Sequence, residues 1–142
     1  MRRANTAFLL VIVGLVTLAC RPSRSPMAGY VFQSVQISGE RGQTADIVQA
    51  ALEQELSKRG VRIFSNSTGP KLLCTATYTM NGAYPVRLEI IAHSDSYPNP
   101  FHVAADVDAF WNSDMNYFSL ARKAAEQVAD SIEEQYLAQN RE

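Results

Sequence analysis

The sequence predicts an α+β fold: a two-layer sandwich with a mainly antiparallel sheet of four to five strands and two helices on one face. Three observations lead there. "LLCTATYTM", residues 72–80, alternates apolar and polar side chains with the period of a half-buried strand. Asn81-Gly82 follows at once, a short-range hairpin signal. Two stretches, one before and one after the strand-rich middle, carry apolar residues at helical spacing. Strands with one polar face suit a sheet covered on one side only, so both helices are expected on the same side.

Taken in order, "YVFQSVQIS", residues 30–38, is rich in β-branched and aromatic residues and reads as a first strand. "GERGQ" is a loop. Thr44 is the expected N-cap of a helix reaching Arg59, with Ile47, Val48, Ala51, Leu52 and Leu56 as its buried stripe. Glu55 and Arg59 are an i,i+4 pair, and Gly60 is placed to end the helix. "VRIF", residues 61–64, is a short strand and "SNSTGP", residues 65–70, a loop.

On strand 72–80, Leu72, Cys74, Ala76, Tyr78 and Met80 face the core, opposite Leu73, Thr75, Thr77 and Thr79. The return strand spans about Val86 to His93, with Val86, Leu88, Ile90 and Ala92 inward and Arg87, Glu89, Ile91 and His93 outward. Pro85 sits at its start, where a missing N–H is tolerated. "FHVAADVDAF" alternates again, with Phe101, Val103, Ala105, Val107 and Ala109 opposite His102, Asp106 and Asp108. A long helix from Asp114 to Leu137 closes the chain. Tyr117, Leu120, Ala121, Ala124, Val128 and Ile132 form its buried stripe. Arg122, Glu126, Asp130, Glu133 and Glu134 form a face that reads as solvated.

The first twenty residues lie outside that fold. Arg2 and Arg3 precede an uncharged run from Ala7 to Ala19, which is shorter than the roughly 20 apolar residues of a membrane span. It fits the apolar region of a signal peptide. The run stops at Ala19-Cys20, and "RPSRSP" follows as a polar tether. Residues 1–19 are thus expected as signal peptide, 20–29 as lipidated N-terminus and tether, and 30–142 as one domain. The chain from Cys20 to Glu142 has 123 residues and a formal net charge of −3.

This junction resembles the lipobox of bacterial lipoproteins, where a small residue precedes an obligatory cysteine. The resemblance implies that the Cys20 thiol takes a diacylglycerol and that the new amine is acylated. Several acyl chains would give stable attachment, since each buried methylene contributes about 0.8 kcal/mol. Arg21, in place of the Asp that retains such proteins in the inner membrane, implies the Gram-negative outer membrane. "ALEQELSKRGVRIF" and the final Ala-rich helix resemble, in layout, the LPS-assembly lipoprotein family. Peptidoglycan-synthase activator and curli-secretion lipoproteins contain comparable two-layer modules.

Chemistry-bearing patterns are sparse. With Cys20 lipidated, Cys74 has no internal partner and reads as a small buried hydrophobe. His93 and His102, with Asp95, Asp106, Asp108 and Glu89 near them, are the only candidate ligands for a divalent transition metal. No nucleophile elbow, phosphate loop or zinc motif is present, so no catalytic residue and no cofactor is assigned. The net charge of −1 gives no footprint for nucleic acid. Asn66-Ser67-Thr68 matches a glycosylation sequon, a chance match in a bacterial lipoprotein. Among the aromatic residues Tyr97, Phe101, Phe110 and Trp111, the last two read as a plug closing the core end, or as an exposed interface anchor. The expected role is therefore non-enzymatic: a membrane-anchored envelope lipoprotein that binds a larger envelope protein or glycan. A small metal- or ligand-binding lipoprotein using His93, His102 and Asp106 is the alternative.

Overall fold

The structure, a computed structural model, describes residues 25–95, 97–106 and 113–141, with backbone only at 97–103 and 113. The elements are β1 (Val31–Phe32), β2 (Ser34–Ser38), α1 (Gln43–Lys58), β3 (Arg62–Ile63), β4 (Lys71–Asn81), β5 (Tyr84–Ser94), β6 (Tyr97–Asp106) and α2 (Ser113–Gln139). Strands β2, β4, β5 and β6 lie side by side in that order. Both helices pack on one face of this sheet, giving the expected two-layer α+β sandwich. Among the described residues no helix is long and apolar enough to cross a membrane.

The sheet is mixed, not simply antiparallel. β4–β5 and β5–β6 are antiparallel, but β2 runs parallel to β4, with Val35 opposite Leu72 and Ile37 opposite Cys74. The cause is the intervening helix: α1 carries the chain back along the sheet before β4 begins, as parallel strands require. The expected first strand is also broken. Gln33 donates its N–H to the Pro70 carbonyl at 2.9 Å, and Val31–Phe32 leave the main sheet to pair in parallel with Arg62–Ile63.

Helix α1 starts at a different cap from the one expected. Gly42 is the N-cap at φ 62°, with no side-chain cap bond. Thr44 lies inside the first turn, where its hydroxyl donates back to the Arg41 carbonyl at 2.9 Å. The other end follows expectation. Gly60, at φ 75°, donates to the Ser57 carbonyl at 2.9 Å, and Val61 donates to Leu56 at 3.0 Å. This pair of bonds is a Schellman closure, and the buried Leu56 and Val61 supply its apolar contact.

Leu120, Ala121, Ala124, Ala125, Val128, Ala129 and Ile132 bury the inner side of α2 against Val48, Leu52, Leu56, Leu88 and Ile90. The alanines let α2 lie close to its neighbours, because interhelix distance follows side-chain size. Ile47 and Ala51 share a groove with Phe118 and Ala121, while Arg59 reaches Asp130 and Glu133. The two helices are therefore parallel, with their C-terminal halves together. Packing begins before residue 30: Met27 is fully buried, and Gly29 donates to the Gly60 carbonyl at 2.9 Å.

The hairpin forms, shifted by one residue. Asn81 pairs with Tyr84, so Gly82-Ala83 is the two-residue loop, with Gly82 at φ 62°. Glycine at the first loop position is the requirement of a type II′ turn. A register shift between Thr79 and Met80 precedes it. Met80, expected inward, is consequently 43% exposed.

Candidate interaction face

The sheet face away from the helices has no layer over it among the described residues. Its rows follow from the register. Gln36, Leu73 and His93 form one row; Ser38, Thr75, Ile91 and His102 a second; Thr77, Glu89 and Ala104 a third; Thr79, Arg87 and Asp106 a fourth. Thr75, Thr77 and Thr79 are exposed and stand on one side of β4, about 7 Å apart along the strand. The Ser38 and Thr75 hydroxyls meet at 3.2 Å. Ile91 is 46% exposed among these polar groups.

Arg87 organises the charged corner. Its Nε donates to Glu89 at 3.0 Å, and its Nη1 donates to both Asp106 oxygens at 3.0 and 3.1 Å. The Glu89 hydrogen bond, then that of Asp106, raises the guanidinium pKa above its ordinary value. These contacts bear on the metal alternative. Asp106 is held by Arg87, and His93 pairs with Leu73 rather than with residue 102. Among the described residues no group of three or more His, Cys, Asp and Glu is arranged to hold a metal ion. Asp95 is exposed, and Asp108 lies outside the described residues.

The top of β4 is closed without a strand. β2 ends at Ser38, and the next two residues cover the edge it leaves. Gly39 lies so near that an added Cβ would sit 2.3 Å from the Ala76 oxygen. Glu40 accepts the Tyr78 N–H at 3.2 Å. The Tyr78 ring stands edge-on to Tyr117 at 4.8 Å, and its hydroxyl is buried without a hydrogen-bond partner among the described residues. Burial, with Glu40 and Tyr117 adding to it, pushes that phenol up.

Cys74 lies in the core, 1% exposed, as its place in the alternation predicts. Burial pushes its thiol up to about 12, which removes thiolate chemistry near neutral pH. Cys20, Phe110 and Trp111 lie outside the described residues, and Tyr97 and Phe101 are described by backbone alone.

Two apolar grooves were not read from the sequence. One of about 890 Å³ lies between α1 and the β3–β4 loop, lined by Val31, Ser57, Val61, Ile63 and Phe64. Another of about 400 Å³ runs between the N-terminal halves of the helices, beside Ile47, Ala51, Phe118 and Arg122. Phe64 and Phe118 are 57% and 59% exposed. Alternation carried the signal for Phe64: with Val61 inward on a strand, Arg62 and Phe64 face out.

No protein-family model matches the chain, and a search of the curated proteins finds no match. Solved structures similar to it include a minor lipoprotein from Acinetobacter baumannii, at 17% identity and TM-score 0.44, covering 78% of this chain and 94% of that one. A Caulobacter crescentus protein described as a candidate lipoprotein is similar at 14% identity and TM-score 0.40, covering 76% and 93%. A protein described as uncharacterized is similar at 16% identity and TM-score 0.45, covering 80% and 96%.

Proposed function

We propose that this protein is a non-enzymatic lipoprotein of the Gram-negative envelope, anchored through Cys20 in the outer membrane on its periplasmic side. Its domain binds a larger envelope protein or glycan. The observation that carries the binding role is the open face. Thr75, Thr77, Thr79 and Ser38 offer hydroxyls in rows, Arg87 with Glu89 and Asp106 offers charge, and Ile91 is exposed between them. Such a mixture of hydrogen-bonding groups around an apolar contact suits recognition of a polar partner. The anchor reading is supported by the uncharged Ala7–Ala19 run ending on Cys20. It is also supported by the point where the tether leaves the domain. The Ser25 hydroxyl donates to Glu133 of α2 at 3.4 Å, on the helix layer and away from the open face.

Crosslinking in intact envelopes followed by pull-down tests this reading. Wild type is expected to capture a partner that Thr77→Lys with Ile91→Lys loses, while Arg122→Glu on the helix layer still captures it. Equal capture by all three would place the binding elsewhere, and no capture by wild type would remove the binding role.

A further inference from the structure

The chain enters the domain through a clasp. Met27 is fully buried, the Ser25 hydroxyl donates to Glu133 on α2 at 3.4 Å, and the Gly29 N–H donates to the Gly60 carbonyl at 2.9 Å. Arg62 donates its N–H to the Tyr30 carbonyl at 2.8 Å, and the Tyr30 ring stands edge-on to Tyr136 at 5.7 Å. These contacts fix the point of entry at one end of the domain, where α1 finishes and β3 starts.

That end carries exposed apolar surface beside unpaired cations. Buried Phe32 pairs with Ile63, so Val31 and Arg62, one residue back on each strand, face away from the core, and Phe64 faces out again. Phe64 is more than half exposed and borders the groove of about 890 Å³, to which Val31, Val61 and Ile63 add apolar surface. Arg62 precedes Phe64 by two residues. Lys71 lies across β1, opposite Ser34, and faces out because Leu72 faces in. Both cations are exposed, and among the described residues neither makes an ion pair. The groove's carboxylate, Glu53, stands on the α1 wall and accepts from Gln49 at 3.0 Å.

We infer that this end of the domain rests on the bilayer that holds its anchor, with Phe64 at the boundary of headgroups and acyl chains and Arg62 and Lys71 on anionic phosphates. The inference rests on lipidation of Cys20. Ser25 follows Cys20 by five steps, a reach of at most roughly 17 Å. Phe64 lies four residues beyond Gly60, about 13 Å along an extended strand. The clasp and the short tether thus hold this end, and not the opposite one, beside the lipid. Long cationic side chains suit that place, since their stems lie on apolar surface while their heads reach phosphate, and anionic lipid attracts them. Arg21 and Arg24 bring two more cations within the tether itself. Tethering gives the bilayer an effective concentration that a diffusing partner lacks, which favours lipid as the occupant. Thr75 to Thr79 lie about 13–26 Å along β4 from Lys71 and stay clear for a partner.

The test uses the full lipidated chain in vesicles of phosphatidylethanolamine and phosphatidylglycerol. Cys74 is buried, so a polarity-sensitive fluorophore labels only an introduced cysteine. At Phe64→Cys the emission should shift to the blue and be quenched by lipids brominated in the acyl chain. Asn66→Cys, in the adjoining exposed loop, gives a second reading that leaves Phe64 in place. Phe118→Cys is the control: an equally exposed phenylalanine 15 residues before Glu133 on α2, about 22 Å away, which should stay water-like and unquenched. Arg62→Glu with Lys71→Glu should remove most of the quenching at both 64 and 66. Full lipid mass on Cys20 with no quenching at 64 and 66 would overturn this inference alone. Absence of that mass would remove the anchor reading and this inference with it. Equal quenching at 64 and 118 would overturn the fixed orientation, and a blue shift in whole envelopes without acyl-chain quenching would assign Phe64 to a protein partner instead.

Discussion

Arg59 Nε donates to Glu133 Oε2 at 3.2 Å, joining the C-terminal end of α1 to the side of α2. The same guanidinium bonds Glu55 at 3.1 Å and pairs with Asp130. Burial works against its charge, but the Asp130 and Glu55 hydrogen bonds outweigh that and raise its pKa. Glu55 is 7% exposed, and its hydrogen bond to Lys58 at 2.6 Å lowers its pKa; burial opposes, and Arg59 adds to the lowering.

Removing Arg59 should therefore leave Glu55 buried with less compensation. Arg59→Ala is expected to cost about 2–4 kcal/mol in urea unfolding, near the range for breaking a largely buried pair. The pH dependence follows from the sign of the Glu55 shift. A depressed carboxylate contributes stability above its unfolded value of 4.5, and that contribution is lost as pH falls through the lower folded value. Glu55→Gln should flatten the acid limb of the stability profile. An unchanged acid limb would show that other carboxylates govern it.

The Tyr78 hydroxyl makes the opposite prediction, a gain. It is buried with no hydrogen-bond partner among the described residues, and such a group carries an uncompensated desolvation cost of about 1–3 kcal/mol. Tyr78→Phe keeps the edge-on contact with Tyr117 and removes the stranded oxygen. The variant is expected to be more stable than wild type by about 1 kcal/mol in urea unfolding. Destabilisation would mean that the hydroxyl has a partner, such as an ordered water.

Cys74 tests the core directly. With its folded pKa raised to about 12 from 9.0, the thiol should resist iodoacetamide at pH 8.5 in the native protein and react readily in urea. Stability should fall as pH rises above about 9, because the unfolded chain releases this proton first. Cys74→Ala should reduce the slope that begins near pH 9 and leave the part owed to the raised Tyr78 phenol. Rapid native labelling would place Cys74 at the surface.

These residues also show what was legible in the sequence. Cys74 and its neighbours Leu72 and Ala76 were readable because alternation is local, and Gly60 because a helix end has a local backbone signature. Glu55 with Arg59 was readable as an i,i+4 pair. The contacts of Arg59 with Asp130 and Glu133 were not, since 71 and 74 residues separate them. For the same reason the local charge pattern presents Asp130 and Glu133 as a solvated face, although Arg59 holds both. The break at Gln33 has no Gly or Pro to announce it; its partner is the carbonyl of Pro70, far along the chain. The parallel pairing of β2 with β4 depends on where α1 returns the chain, which periodicity does not report. On the open face, outward Thr75, Thr77, Arg87 and Ile91 were all legible, but their assembly into rows needed the register.

The last prediction concerns the anchor at Cys20. An uncharged run from Ala7 ends on Ala19-Cys20, and Ser25, where the described domain begins, follows five steps along the chain. Fully extended, that tether spans roughly 17 Å, so a lipidated Cys20 would hold the domain close to the bilayer. Metabolic labelling with a fatty-acid probe should mark wild type and leave Cys20→Ala unmarked. The same substitution should move the protein from the membrane pellet toward the soluble fraction, because an unlipidated chain lacks the several acyl chains that stable attachment requires. The fold should not respond, since the described core is built from Met27 onward. Equal labelling of both proteins would locate the lipid elsewhere. An unlabelled wild type that still pellets with membranes would identify the apolar run as an uncleaved anchor.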